Sequence, residues 1–237
     1  PLAPATSRAH PAPEPTQPPP PATPADKQAE HPLRTTPRGA PPEHGTHGDD
    51  PGKAHEDADY LWLVHPNDGT NSFVGGYGMW STQIALMHKG ELVLGVSSAP
   101  ATREMAWAAK GMGAQLDGEA VTVSSKSDLV QASVSTGNLQ TMARSPQWDC
   151  LGRIFAQVNR TRGYGDYYHY HRLAAGQLDA VIESDVNILD IAALVVIVRE
   201  AGGVFTDLAG NPPGLDTTSV LAATPGLHGQ LLQILNP

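Results

Sequence analysis

Apolar and polar positions are unevenly distributed along this chain. Up to about residue 47 the only large apolar residues are Leu2 and Leu33, whereas beyond it short apolar runs recur, each bounded by turn residues. The first run, Tyr60-Leu61-Trp62-Leu63-Val64, is stopped by Pro66 and by Asn67-Asp68-Gly69, the pattern of a buried strand running into a loop. Two β-prone runs, 81–87 and 92–96, meet across His88-Lys89-Gly90, and a third, 104–109, follows Pro100. Together they predict neighbouring antiparallel strands, and Gly111, Gly113 and Gly118 mark turns after them. Helical spacing covers 146–158 and 166–175, the second ended by Gly176, and a strand is predicted over 179–183. The most regular helix is predicted to open at Asp190. Its Ile191, Leu194, Val195 and Val198 fall at i, i+3, i+4 and i+7, and Gly202-Gly203 ends it before a strand at 204–206. This alternation predicts an α/β fold, layered as α+β around mixed and antiparallel sheets.

Composition changes the picture at the N-terminus. Fifteen of the 22 prolines lie within the first 51 residues, Pro18-Pro19-Pro20-Pro21 among them. Such a segment buries too little apolar surface to offset its chain entropy. The reading is therefore a disordered Pro-rich tail over 1–47, sampling polyproline conformations, and a folded domain over 48–237, truncated at its N-terminus. A net charge of −9 without any Lys/Arg cluster leaves no electrostatic basis for gripping a nucleic-acid backbone. No apolar run approaches the roughly 20 residues of a membrane span, and no signal-peptide pattern heads the chain, so it reads as soluble and cytoplasmic, with no membrane partner. The single cysteine, Cys150, excludes an internal disulfide and a Cys-rich zinc site and reads as a buried thiol.

Candidate chemistry gathers at element ends. Acidic residues stand at Gly48-Asp49-Asp50, in the run His65-Pro66-Asn67-Asp68-Gly69-Thr70 and at Asp190. Carboxylates converging from separate segments suit a hard dication and metal-assisted phosphoryl transfer. Asp-Gly is also a common turn dipeptide, so on its own the second cluster reads first as a turn. His44, His47, His55 and His65 offer a different reading, a transition-metal site, since His44 and His47 have ligand-like spacing.

The order of these segments points further. Trp62-Leu63-Val64-His65-Pro66-Asn67-Asp68-Gly69-Thr70-Asn71-Ser72-Phe73 resembles the strand and metal loop of the inositol monophosphatase family, Trp-(apolar)₂-Asp-Pro-(apolar)-Asp-Gly-Thr-x-x-Phe. Leu189-Asp190-Ile191-Ala192-Ala193 through Glu200-Ala201-Gly202-Gly203 is similar to its Trp-Asp-x-Ala-Ala…Glu-Ala-Gly-Gly helix, and Gly48-Asp49-Asp50 to its Gly-Glu-Glu. Arg162-Gly163-Tyr164-Gly165-Asp166 and Ala174-Ala175-Gly176-Gln177-Leu178-Asp179 resemble the histidinol-phosphate phosphatase branch most closely.

The resemblance implies Asp49, Asp68 and Asp190 as metal ligands, Asp50 as the second acid beside Asp49, and a ligand from the Asn67 backbone carbonyl. Thr70, with Asp49, is implied in catalysis by positioning the attacking water; Gly69 and Thr70 would meet phosphate through backbone amides, Glu183 a substrate hydroxyl, and Asp166 the organic part of the substrate, unless it only caps a helix. His65 departs from the family, which carries there an Asp bridging two ions; one imidazole nitrogen serves one ion and prefers softer metals than Mg²⁺. The implied cofactor is Mg²⁺, with Mn²⁺ as a second choice, and the implied activity is hydrolysis of a small phosphomonoester, first histidinol phosphate in histidine biosynthesis. The alternatives are an inositol-1-phosphate phosphatase and an impaired member with a binding role. A homodimer is the assembly the resemblance suggests. The aromatic and imidazole residues between Tyr164 and His171 read mostly as packing, with a ligand contact as the alternative at His171; Trp80 and Trp107 read as core or sheet-face residues.

Overall fold

The computed structural model describes residues 43–48 and 55–237. One sheet holds β1 (Gly45–Gly48), β2 (Tyr60–Asp68), β3 (Ser81–His88), β4 (Glu91–Ala99), β5 (Glu104–Ala109), β6 (Ala114–Leu116) and β7 (Glu119–Val121) in chain order. β1 runs parallel to β2, and every later pair is antiparallel. The second sheet is built from β8 (Ser133–Gly137), β9 (Arg160–Arg162), β10 (Ala180–Ser184), β11 (Val204–Thr206) and β12 (Ser219–Ala223) in the order β11-β12-β10-β8-β9. β8 is parallel to both of its neighbours. The α-helices among the described residues are α1 (Thr70–Val74), α2 (Leu139–Met142), α3 (Trp148–Phe155), α4 (Asp166–Ala174), α5 (Ile188–Glu200) and α6 (Pro225–Leu235). No helix among the described residues is long and apolar enough to cross a membrane.

The layering follows from which faces are apolar. α5 buries every residue from Ile191 to Val198, because it lies between the sheets with apolar neighbours on both sides. α4 shares this layer, and a second core on the far face of the second sheet gathers Leu151 and Ile154 of α3 with Leu227 and Leu231 of α6. In β3 the buried residues Ser81, Gln83, Ala85 and Met87 alternate with half-buried ones, as a strand with one covered face requires. The other face of this sheet presents Trp62, Ile84, Leu86, Leu94, Val96 and Trp107, all half-buried.

α5 passes close over Gly95 of β4, where a Cβ would collide with the Ala193 carbonyl. Helix and strand are both fixed by their own packing, so Gly95→Ala should cost about 2 kcal/mol by overpacking. At this domain size that lowers the thermal midpoint by roughly 4–8 °C, measurable by calorimetry; an unchanged midpoint would show that the layers can separate freely.

The strands read at 81–87, 92–96, 104–109 and 204–206 are present, the first two extended to 81–88 and 91–99. Three expectations need correction. The strand from Tyr60 does not stop before Pro66 but reaches Asp68, because Pro66 leaves its carbonyl to accept from Thr82 Oγ1 (2.8 Å) within the sheet. The folded part begins earlier than residue 48, since Gly45 to His47 belong to β1, which gains a parallel partner that no local pattern reveals; the rest of the Pro-rich segment, residues 1–42, lies outside the described residues. The long helix opens at Ile188 rather than Asp190, because Asn187 caps it and accepts from Leu189 N (2.8 Å).

Candidate active site

β2 carries two candidate ligands toward α5 only because its pairing is irregular. His65 sits opposite Gln83 and Asp68 opposite Ser81, with a register shift between them. Residues three apart on a regular strand face opposite ways, and a bulge re-aims one of them. One ligand atom from each of His65, Asp68 and Asp190 lies within 4.8 Å of the others.

Each of these side chains is held. Asp68 is buried and accepts from Ser81 Oγ (3.2 Å), while Gln83 Nε2 lies 3.5 Å from the same oxygen and bonds Ser81 Oγ (2.8 Å). Asp190 divides its two oxygens: Oδ2 accepts the Asn187 backbone N–H (2.8 Å) and Oδ1 stands 3.1 Å from His65 Nδ1. The capping bond that starts α5 thus also aims the second oxygen at the cluster.

α1 begins where β2 ends. Gly69 turns the chain with φ 82°, and a Cβ there would lie 2.6 Å from the Met79 carbonyl and 3.3 Å from Asp166 Cγ, so neither the conformation nor the space admits a side chain. Thr70 Oγ1 donates to the Asn67 carbonyl (3.0 Å) and Ser72 Oγ to Asp166 Oδ2 (3.3 Å). Asp166 is the first residue of α4 rather than its cap, which is Gly165, and it ties α4 to α1. Glu183, buried at the end of β10, accepts from Tyr170 Oη (2.7 Å) and faces His169 Nε2 (3.1 Å).

Four carboxylates therefore share one end of the fold. Burial raises Asp68 to about 8, with Asp190, Asp166 and Glu183 adding to the rise and His65 opposing it. Burial likewise raises Asp166 to about 6, with Glu183 and Asp190 contributing and His169 and Ser72 opposing. Buried carboxylates whose ionised forms disfavour one another suit a dication, whose charge would favour ionisation.

Asn67 pays for the irregularity of β2. Its side-chain amide is buried and neither its nitrogen nor its oxygen has a hydrogen-bond partner. An unmade buried bond costs about 1–3 kcal/mol. Asn67→Leu keeps the backbone carbonyl and should stabilise the protein by about 1–2 kcal/mol, raising its urea midpoint; a lower midpoint would mean that the amide is satisfied in solution.

Not every expected residue belongs here. Asp49 and Asp50 lie outside the described residues, directly after β1, whose last residue Gly48 pairs with Val64 next to His65. The four histidines do not meet: His44 stacks on Tyr60 (4.8 Å) and accepts from Trp62 Nε1 (3.2 Å), and His47 bonds Glu56. His171 is no ligand contact, since it is buried against Ser97 (Nε2 to Oγ 2.8 Å) and Glu104 (Nδ1 to Oε2 3.4 Å). Burial lowers its pKa, against the pull of Glu104. A base whose folded pKa lies below its unfolded value stabilises above the unfolded pKa and loses that stability as pH falls through the folded one. The thermal midpoint should accordingly drop below about pH 6.5, and less so in His171→Gln.

Two contributors escaped sequence reasoning, His169 and Tyr170, which hold Glu183. A signal existed: with Asp166 they occupy i, i+3 and i+4 of one helix face.

Comparison with known proteins places this geometry. The model of the inositol monophosphatase family matches residues 13–236, and so extends well upstream of Gly48. A histidinol-phosphatase of Mycobacterium tuberculosis is 37% identical over 221 residues, covering 91% of this chain and 85% of that protein. One from Streptomyces coelicolor is 36% identical, covering 90% and 82%. An inositol monophosphatase from Zymomonas mobilis superposes with a TM-score of 0.87 at 29% identity, covering 100% of this chain and 92% of that one.

Proposed function

Because the chain belongs to the inositol monophosphatase family, whose members are phosphatases, we propose that it is a divalent-cation-dependent phosphomonoesterase acting on histidinol phosphate. The observation that carries this reading is the convergence of His65, Asp68 and Asp190 beside Thr70, with Asp166 and Glu183 on the neighbouring wall. The similarity to two histidinol-phosphatases supports the choice of substrate.

Asp68, Asp190 and His65, with Asp49 from the segment after β1, would hold the cation, Mg²⁺ or Mn²⁺. When bound, it neutralises phosphate charge and polarises a phosphoryl oxygen. The chain's own groups do the rest. Backbone N–H groups of Gly69, the N-cap of α1, and of Thr70, its first residue, lack intrahelical partners and would donate to phosphate oxygens. The Thr70 hydroxyl spends its proton on the Asn67 carbonyl, which leaves its lone pairs to accept from the attacking water. Asp49, in the segment after β1, would help Thr70 to position that water. Glu183, fixed by His169 and Tyr170, and Asp166, fixed by Ser72, bind the organic part of the substrate; both suit a cationic amine better than a neutral polyol.

A second reading is favoured by one contact, the 3.1 Å approach of His65 to Asp190, which lets the protein occupy its own cation position and act only as a phosphate binder. Phosphate release from histidinol phosphate and inositol 1-phosphate, with Mg²⁺ and Mn²⁺ titrated, separates the readings. Cation-dependent turnover with a kcat/KM at least about tenfold higher for histidinol phosphate is expected. Binding of either ester without turnover under any cation would replace the enzyme with the binding module.

A further inference from the structure

We propose that this site is selective for a transition dication of the Mn²⁺ or Zn²⁺ class over Mg²⁺, and that His65 is the residue that sets the preference. The inference rests on the phosphatase reading only for where the ion sits. Its substance is a donor set. Within 4.8 Å the described residues bring together one imidazole nitrogen and two carboxylates from β2 and the start of α5. Imidazole binds Mn²⁺, Co²⁺ and Zn²⁺ in rising order and is a poor ligand for Mg²⁺, which demands oxygen and gives up its water reluctantly.

Three features make His65 a ligand rather than a bystander. It is buried with 9% of its surface exposed, at the strand position where the bulge turns it toward Asp68. Its Nδ1 stands 3.1 Å from Asp190 Oδ1, about the edge length between adjacent donors on one ion with bonds near 2.1 Å. Asp190 is preorganised independently, since its other oxygen is committed to the Asn187 N–H and cannot turn away without uncapping α5. The consequence is also one of number. A carboxylate at residue 65 could bridge two ions with two oxygens, whereas one imidazole nitrogen serves one, so a single tightly held ion is expected at His65, Asp68 and Asp190.

The test is equilibrium binding of Mg²⁺, Mn²⁺ and Zn²⁺, each alone, to the full chain and to His65→Asp and His65→Ala by calorimetry. Hyperfine spectroscopy of bound Mn²⁺ on protein with ¹⁵N-labelled histidine accompanies it. The parent should hold one Mn²⁺ or Zn²⁺ at least about 100-fold more tightly than Mg²⁺. Bound Mn²⁺ should show coupling to a histidine nitrogen, absent from both variants. His65→Asp should shrink the preference at least about tenfold by gaining Mg²⁺ affinity, and His65→Ala should lose Mn²⁺ without gaining Mg²⁺. His44 and His47 are present in all three proteins, so adventitious zinc on them cannot produce these differences. Equal affinity for Mg²⁺ and Mn²⁺ in the parent, no nitrogen coupling, or no ion bound at millimolar concentration would each overturn the proposal. The phosphatase reading fails separately: turnover supported by Mg²⁺ and not by Mn²⁺ or Zn²⁺ would refute the selectivity and keep the enzyme, while a nitrogen-coupled Mn²⁺ without turnover would do the reverse.

Discussion

Asp68→Asn should lower cation-dependent phosphate release by about 10³-fold or more, equivalent to roughly 4 kcal/mol of transition-state stabilisation, while leaving the protein folded and more stable near neutral pH. The two effects share one cause. Asp68 is fully buried among Asp190, Asp166 and Glu183, so its carboxyl keeps a proton up to about 8 in the cation-free protein. The unfolded chain gives up that proton near 3.8. Between these values the folded state binds the extra proton, so this group's stabilisation is complete below about pH 4 and is lost as pH rises through about 8. Asparagine cannot titrate, yet it still accepts from Ser81. Urea midpoints of cation-free parent and variant should therefore coincide near pH 4 and diverge toward pH 8, the variant ahead by several kcal/mol at most. Parallel curves would mean that Asp68 is ionised throughout. A dication reverses the balance by favouring the carboxylate, and thermal shifts with added cation should be large for the parent and absent for Asn.

How much of this was legible in the sequence differs by element. The strands at 81–88, 91–99 and 104–109 could be read because each has one face on the core and alternates. β1 could not, since its sequence Gly-Thr-His-Gly carries no alternation and its place depends on partners sixteen positions away. The site divides the same way. Asp68, Thr70 and Asp190 stand in local motifs, but the bulge that brings His65 and Asp68 to one side exists only through the pairing with β3. Glu183 is implied only by the family resemblance, and the side chains that hold it, His169 and Tyr170, stand among aromatic residues whose neighbours His171 and Tyr167 do serve packing. One helix face reads the site and the opposite face reads the core, and composition cannot tell them apart.

His65→Asp should raise Mg²⁺-supported kcat/KM by about 100-fold or more, roughly 3 kcal/mol. The substitution returns a second donor oxygen to the position opposite Gln83, restores the negative charge that the family pattern places there, and removes the imidazole that faces Asp190 at 3.1 Å. Each change favours a hard dication. The cost falls on the cation-free protein. A fifth carboxylate would join Asp68, Asp166, Glu183 and Asp190, and the His65 charge that opposes the rise of the Asp68 pKa would be lost. In a chelating buffer the variant should melt below the parent, and with millimolar Mg²⁺ above it, because an ion that binds only the folded state stabilises it by mass action. That crossing of melting curves distinguishes restored ion binding from a merely tolerated substitution. Unchanged rate together with uncrossed curves would place residue 65 outside the cation site, and with it the role assigned to the bulge in β2.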